Sequence, residues 1–198
     1  MRILLLSRYG PLGSASRVRF YQYLPYLKAH GLEVTVCPLL ADEYVEKLYA
    51  GQRQNPAFLA RAYLARVRAL LQSHSYDLIW LEKESLPWLP ACENALARAP
   101  IVVDYDDAVF HRYDRHANPL VRAFLGRKID AVMRHAALVV SGNDYLATRA
   151  QQAGAKQIEI LPSVVDTSRY QPASKSVKPN LNIQLIHASL SPYSNAHL

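Results

Sequence analysis

The chain has 198 residues, 51% of them hydrophobic and 20% charged, with a formal charge of +7. That length buries one well-packed α/β domain, or one domain plus the beginning of another, and the second arrangement is expected here. No stretch approaches the roughly 18 uninterrupted apolar residues of a membrane span, and Ile3-Leu4-Leu5-Leu6 runs into a Gly/Ser loop without the cleavage pattern of a signal peptide.

In chain order, Arg2 to Ser7 reads as a strand, Arg8 to Ser16 as a Gly/Pro/Ser loop, and Arg17 to His30 as a helix closed by Gly31. Glu33 to Leu40 is a second strand. Helical spacing follows over Glu43 to Tyr49 and over Pro56 to Ser73, the latter with Asn55 as N-cap and Pro56 in its first turn. Tyr76 to Leu81 is a third strand, and a helix from Leu86 to Arg98 leads to a β-branched strand, Pro100-Ile101-Val102-Val103, which ends in Asp104-Tyr105-Asp106-Asp107. Beyond a polar, aromatic loop from Val109 to Ala117, Asn118-Pro119 opens a helix running to His135. Leu138 to Ser141 is the fifth strand, Asn143 to Ala153 a helix closed by Gly154, and Gln157 to Leu161 the sixth strand.

Short strands alternating with helices imply a parallel sheet covered on both faces, a doubly wound Rossmann-like α/β domain over residues 1–168. Residues 169–182 read as a linker, because Gln171 to Asn182 is rich in Pro, Ser, Lys and Asn. Ile183 to Ile186 resembles one more strand, so residues 183–198 read as the remnant strand and tail of a second, missing domain. Cys37 and Cys92 read as small buried thiols of a reduced, cytoplasmic protein.

Charge is unevenly spread. No acid lies between Glu46 and Asp77, where Arg53, Arg61, Arg66 and Arg68 give one helix a cationic face, and a second helix carries Arg122, Arg127, Lys128 and Arg134. These read either as solvated surface or as attraction to phosphates on a nucleotide, an anionic acceptor or the inner face of a membrane. Nucleic acid is not expected, since no recognised binding motif accompanies the charge.

Carboxylates at the C-terminal end of a buried parallel strand lie where such sheets bind ligands. Asp104, Asp106 and Asp107 repel one another unless a cation, a helix end or a proton-transfer role uses them. They read as a general base, as a metal-binding Asp-x-Asp, or as caps for the following loop and helix, at least one capping. Gly10-Pro11-Leu12-Gly13-Ser14-Ala15-Ser16 lets backbone approach an anion or sugar, although its spacing is neither a dinucleotide fingerprint nor a P-loop. Arg17 and Arg19, in the first turn, suggest an anionic partner. Glu82 and Asn143 follow strands three and five and point at the same rim, with a surface ion pair and a helix N-cap as their alternatives. His111 and His116 lie in the loop beyond the acids.

The small-residue loop with Ser16-Arg17-x-Arg19, Ile79-Trp80-Leu81-Glu82-Lys83, Val102-Val103-Asp104-Tyr105-Asp106-Asp107, Val140-Ser141-Gly142-Asn143-x-Tyr145-Leu146 and Ile160-Leu161-Pro162-x-Val164-Val165-Asp166 together resemble one family. They look like the N-terminal domain of GT-B fold glycosyltransferases of the family 4 type, over residues 1 to about 170. The resemblance implies transfer of a hexosyl unit from a nucleotide sugar, the co-substrate, to a glycan or lipid-linked acceptor, without a cofactor or bound metal. It places Gly13, Ser14 and Arg17 near donor phosphates or acceptor, Asp104, Asp106 or Asp107 on the acceptor-side rim, and Leu161 to Asp166 at an interdomain hinge. No counterpart of the family's donor domain follows Asn182, as in a truncated or frameshifted gene or an excised fragment, so this chain alone is expected to be inactive. The competing reading is a non-catalytic Rossmann-like partner module completed by a separate donor-domain chain. An NAD-binding half is disfavoured, because Leu39-Leu40 end strand two where an acid is needed.

Overall fold

Six strands pair in parallel: β1 (Arg2–Leu6), β2 (Glu33–Val36), β3 (Leu78–Glu82), β4 (Ile101–Tyr105), β5 (Leu138–Ser141) and β6 (Ile158–Ile160). The computed structural model describes residues 1–167, of which Met1–Asp166 form one unit. Parallel neighbours need crossovers, and helices supply them: α1 (Ser14–Arg19), α2 (Leu24–Ala29), α3 (Asp42–Tyr49), α4 (Pro56–Leu71), α5 (Glu93–Leu96), α6 (His111–Asp114), α7 (Pro119–Leu125), α8 (Lys128–His135) and α9 (Asp144–Ala153). The strand order is β2-β1-β3-β4-β5-β6, the doubly wound arrangement expected of the sequence.

The apolar runs are buried on both faces, which is why they do not alternate. Leu4, Leu6, Ile79, Leu81, Ile101, Val103 and Tyr105 form one core with Leu70 of α4, Ile129 and Met133 of α8, and Leu146 of α9. On the other face Leu5 is in register with Trp80, whose ring meets Phe20 edge-on at 4.8 Å. Each fully buried Leu or Ile contributes roughly 1.5–3 kcal/mol relative to exposure.

Helix starts follow their capping residues. Asn55, Asn118 and Asn143 accept from the backbone N–H groups of Ala57, Leu120 and Leu146, and Gly154, at φ +84°, closes α9. Helix interiors depart from the expected spans. The segment 17–30 is split at Phe20 (φ −131°), because Pro25 has no N–H to continue the ladder. The segment 86–98 keeps only α5, since Trp88 takes φ +62° and Pro87 and Pro90 interrupt it. The segment 118–135 breaks between α7 and α8 at Gly126-Arg127, and the loop 109–117 contains α6. Strand two ends at Val36, before Pro38, with a single bridge further on between Tyr9 and Leu40.

Two charge expectations also change. Arg66 is 1% exposed, donates to the Ser7 and Cys37 carbonyls, and burial pushes its guanidinium down to about 10, so α4 lacks the full cationic face expected of it. Lys128 is buried as well. Cys37 and Cys92 are unbridged and only half-buried. The expected linker at 169–182 and strand at Ile183–Ile186 lie outside the described residues. Among the described residues no helix is long and apolar enough to cross a membrane.

Candidate functional site

From β1 the chain turns one way to β2, and from β2 it crosses back to β3 on the other side, so the C-terminal ends of β1 and β3 flank a crevice. The loop 8–16 closes over it. Leu12 donates to Asp42 at the start of α3, Gly13 donates to the Gly10 carbonyl, and the Ser16 hydroxyl donates to Glu82 at 2.7 Å. A Cβ at Gly13 would lie 2.5 Å from the Tyr9 Cβ, so glycine there is a packing requirement. Ser14 is exposed and Arg17 half-buried, with Nη1 donating to the Pro11 carbonyl at 3.1 Å.

Glu82 is 2% exposed and therefore not a surface ion pair. Its Oε2 accepts from the Arg8 N–H and the Ser16 hydroxyl, each at 2.7 Å, while Oε1 is buried without a hydrogen-bond partner. Burial pushes its carboxyl up, against Lys83 and the two hydrogen bonds. A neutral isostere preserves the acceptor. We expect Glu82→Gln to stay within about 1 kcal/mol of the wild type and Glu82→Ala, which strands two donors, to cost about 1–3 kcal/mol. Urea unfolding of both variants checks this; equal losses would mean that the carboxyl does not organise the loop.

At Lys83, between Glu82 and Glu84, the backbone takes φ +61°, a conformation unfavourable for a lysine. Lys83 Nζ bridges Asp106 and Asp107, at 2.8 Å from each. Burial lowers the Lys83 pKa, but Asp106, Asp107 and Glu82 together outweigh it and raise it. Asp104 instead receives a bidentate contact from Arg19, Nε to Oδ1 at 2.9 Å and Nη2 to Oδ2 at 3.0 Å, with both side chains buried. Burial pushes the Asp104 carboxyl up to about 7, with the Arg19 guanidinium opposing. The acids are thus held together by cations. Neither Asp104 nor Asp107 caps a helix through its side chain, and the anionic partner of Arg19 is Asp104 itself.

The three acids differ in access. Asp104 is buried against Arg19, whereas the side chains of Asp106 and Asp107 are 20% and 62% exposed. Lys83 occupies the position between Asp106 and Asp107 that a metal ion would take. Gly142, after β5, packs its Cα against this turn, where a Cβ would lie 3.3 Å from the Tyr105 carbonyl. Asn143 beside it is exposed and spends its Oδ1 capping α9. Arg19 Nη1 also donates to the Leu161 carbonyl at 2.7 Å, and Gln22 donates to the Val164 carbonyl, drawing the segment after β6 to the same edge.

Two further groups stand near these acids. Buried Glu84 accepts from Lys128 Nζ at 2.6 Å and the Tyr113 hydroxyl at 2.7 Å, and lies 3.4 and 3.2 Å from the Nη1 atoms of Arg8 and Arg112. His111 stands between Asp114, 2.8 Å from Nδ1, and the Tyr145 hydroxyl, 2.7 Å from Nε2. In the sequence Glu84 stands out only as part of Glu82-Lys83-Glu84 after strand three, and His111 only as a loop histidine beyond the acids.

Residues 14–163 match the family model described as glycosyl transferase 4-like domain. The chain belongs to that family. No curated protein matches it. The glycosyl transferase 4-like fold here is similar to crystal structures of Anabaena Alr3699/HepE. The complex with UDP-glucose aligns with a TM-score of 0.54 at 22% identity, over 86% of this chain and 46% of that one. The complex with UDP and glucose gives 0.49 at 21%, over 86% and 46%. The chain therefore spans about half the length of these structures, and the likeness is one of fold.

Proposed function

We propose that this chain is the acceptor-side domain of a glycosyltransferase that moves a hexosyl unit from a nucleotide sugar to a glycan or lipid-linked acceptor. The observation that carries the reading is the Lys83-bridged pair Asp106 and Asp107 at the sheet's C-terminal edge. In this reading they accept acceptor hydroxyls and one serves as the base, Gly13, Ser14, Arg17 and Asn143 line the binding face, and Glu82 and Asp104 position the turns behind them. A nucleotide sugar is the donor, no further cofactor takes part, and an anionic membrane is the peripheral partner. One Rossmann-like domain presents one wall of a cleft, so the donor phosphates are met mainly by a second domain.

Calorimetry of the purified chain with soluble acceptor glycans, nucleotide sugars and NAD tests this. Expected are acceptor binding that weakens about tenfold in Asp106→Asn or Asp107→Asn, weak nucleotide affinity and no appreciable turnover. Tight NAD binding, efficient transfer by the chain alone, or acceptor affinity unchanged in both variants would overturn the reading.

A further inference from the structure

α6 and α9, on the connections that follow β4 and β5, meet through one aromatic cluster. The Phe110 ring centroid lies 4.5 Å from that of His111 and 6.0 Å from that of Tyr145, and the Arg149 guanidinium covers the Phe110 ring at 4.6 Å. Arg149 is itself tied down, its Nε 2.7 Å from buried Asp130 and its Nη1 3.2 Å from Asp114. Asp114 in turn lies 2.8 Å from His111 Nδ1. A carboxylate only accepts, so the neutral imidazole carries its proton on Nδ1, and Nε2 is left to accept from the Tyr145 hydroxyl at 2.7 Å. The phenol is thus fixed by a chain of side chains while Tyr145 stays 55% exposed. A hydrogen bond between exposed groups adds little stability. What the arrangement supplies is a rigid, solvent-facing ring whose oxygen still has lone pairs to offer.

That ring belongs to the candidate rim. The Gly142 N–H donates to the Tyr105 carbonyl at 2.8 Å, a Cβ on Gly142 would lie 3.4 Å from the Asp106 Cα, and Tyr145 follows three residues on. Its partner His111 follows Asp107 by four residues, along a stretch curled by the Val109 N–H bond to the Asp107 carbonyl and the His111 N–H bond to the Ala108 carbonyl. The two connections therefore touch at Asp106 and again at His111. A pyranose presents a face of C–H bonds that packs on the negative face of an aromatic ring, and tyrosine offers such a face at low entropic cost. We propose that Tyr145 is the stacking wall of the acceptor site, taking the sugar next to the one at Asp106 and Asp107, and that His111 and Asp114 are the positioning pair that fixes its phenol. The proposal rests on the sugar-transfer reading and assigns a second acceptor contact to it.

Saturation-transfer NMR and calorimetry of the full chain with cellobiose, lactose and maltose test the assignment. At least one disaccharide should receive saturation on its ring C–H protons. Tyr145→Ala should lower its affinity about tenfold, and Tyr145→Phe, which keeps the ring and loses the oxygen, about threefold with the thermal midpoint unchanged. His111→Ala should match Tyr145→Phe but add nothing in a Tyr145→Phe background, because it acts through the hydroxyl. His111→Gln, which can accept from the phenol and donate to Asp114, should restore the affinity. Unchanged affinity in Tyr145→Ala, a His111→Ala loss that persists in the Tyr145→Phe background, or no binding of any disaccharide would each overturn the proposal. A loss in Asp106→Asn and Asp107→Asn with none in Tyr145→Ala would overturn it and leave the sugar-transfer reading standing, whereas a loss in Tyr145→Ala alone would do the reverse.

Discussion

Arg19→Met is expected to destabilise the domain by about 3–5 kcal/mol at about pH 8, because it leaves the Asp104 carboxylate buried without its cation. The methionine fills the stem volume, so most of the loss is electrostatic. Two guanidinium bonds to Asp104 and one to the Leu161 carbonyl go together. The cost must also depend on pH. In the native protein burial has moved Asp104 from 3.8 to about 7, so between those values the folded state holds a proton that the unfolded chain has released. The stability from that proton is full below the unfolded value and falls as pH rises through the window. Removing Arg19 carries the upper end of the window higher. The variant's penalty should therefore shrink towards pH 5 and grow above pH 7, as read by urea midpoints of both proteins across that range. A penalty of the same size at every pH would show that Asp104 is not the group left stranded.

The same pair explains what could be read from the sequence and what could not. Runs such as Ile3-Leu4-Leu5-Leu6 and Ile101-Val102-Val103 specify buried parallel strands by composition, and Asn55-Pro56 and Asn118-Pro119 mark helix starts because capping chemistry is local. The acids after β4 were legible as a problem needing a cation. Which cation was not, since Arg19 lies 85 positions from Asp104 and its helical position suggested an external anion instead. Lys83 was adjacent to the candidate Glu82, but its role depends on a left-handed backbone that no local signal marks in a lysine. Arg66 read as surface because arginine in a helix usually is; only the tertiary meeting of α4 with the β1 and β2 ends draws it inside. The helix expected over 86–98 fails for a related reason, because Trp88 is bound by Tyr113 from a distant loop.

Glu84→Gln carries the other large expected effect, again about 3–5 kcal/mol, and the reasoning differs because here one carboxylate serves three cations. Lys128, 1% exposed at its side chain, keeps its bond to the Leu86 carbonyl but loses its charged partner. Arg8 and Arg112, both on the same carboxylate oxygen, then repel one another without the negative charge between them. Lys128→Met alone should cost less, since Tyr113, Arg8 and Arg112 remain on Glu84. Combining Glu84→Gln with Lys128→Met should recover part of the single-variant loss, giving a coupling energy of roughly 1–3 kcal/mol in a double-mutant cycle. Burial raises the Glu84 pKa, but Lys128, Arg8 and Tyr113 together outweigh it and hold the carboxyl below its ordinary range. Its contribution is therefore present above the unfolded value near 4.5 and is lost as pH falls through the lower folded value. The gap between wild type and Glu84→Gln should therefore close in acid. Because Glu84 also accepts from the Tyr113 hydroxyl that holds the Trp88 N–H, the variant should show an altered near-ultraviolet circular dichroism spectrum at temperatures where it remains folded. An unchanged spectrum in a folded Glu84→Gln protein would mean that the Trp88 turn is held by its own packing rather than by the buried carboxylate.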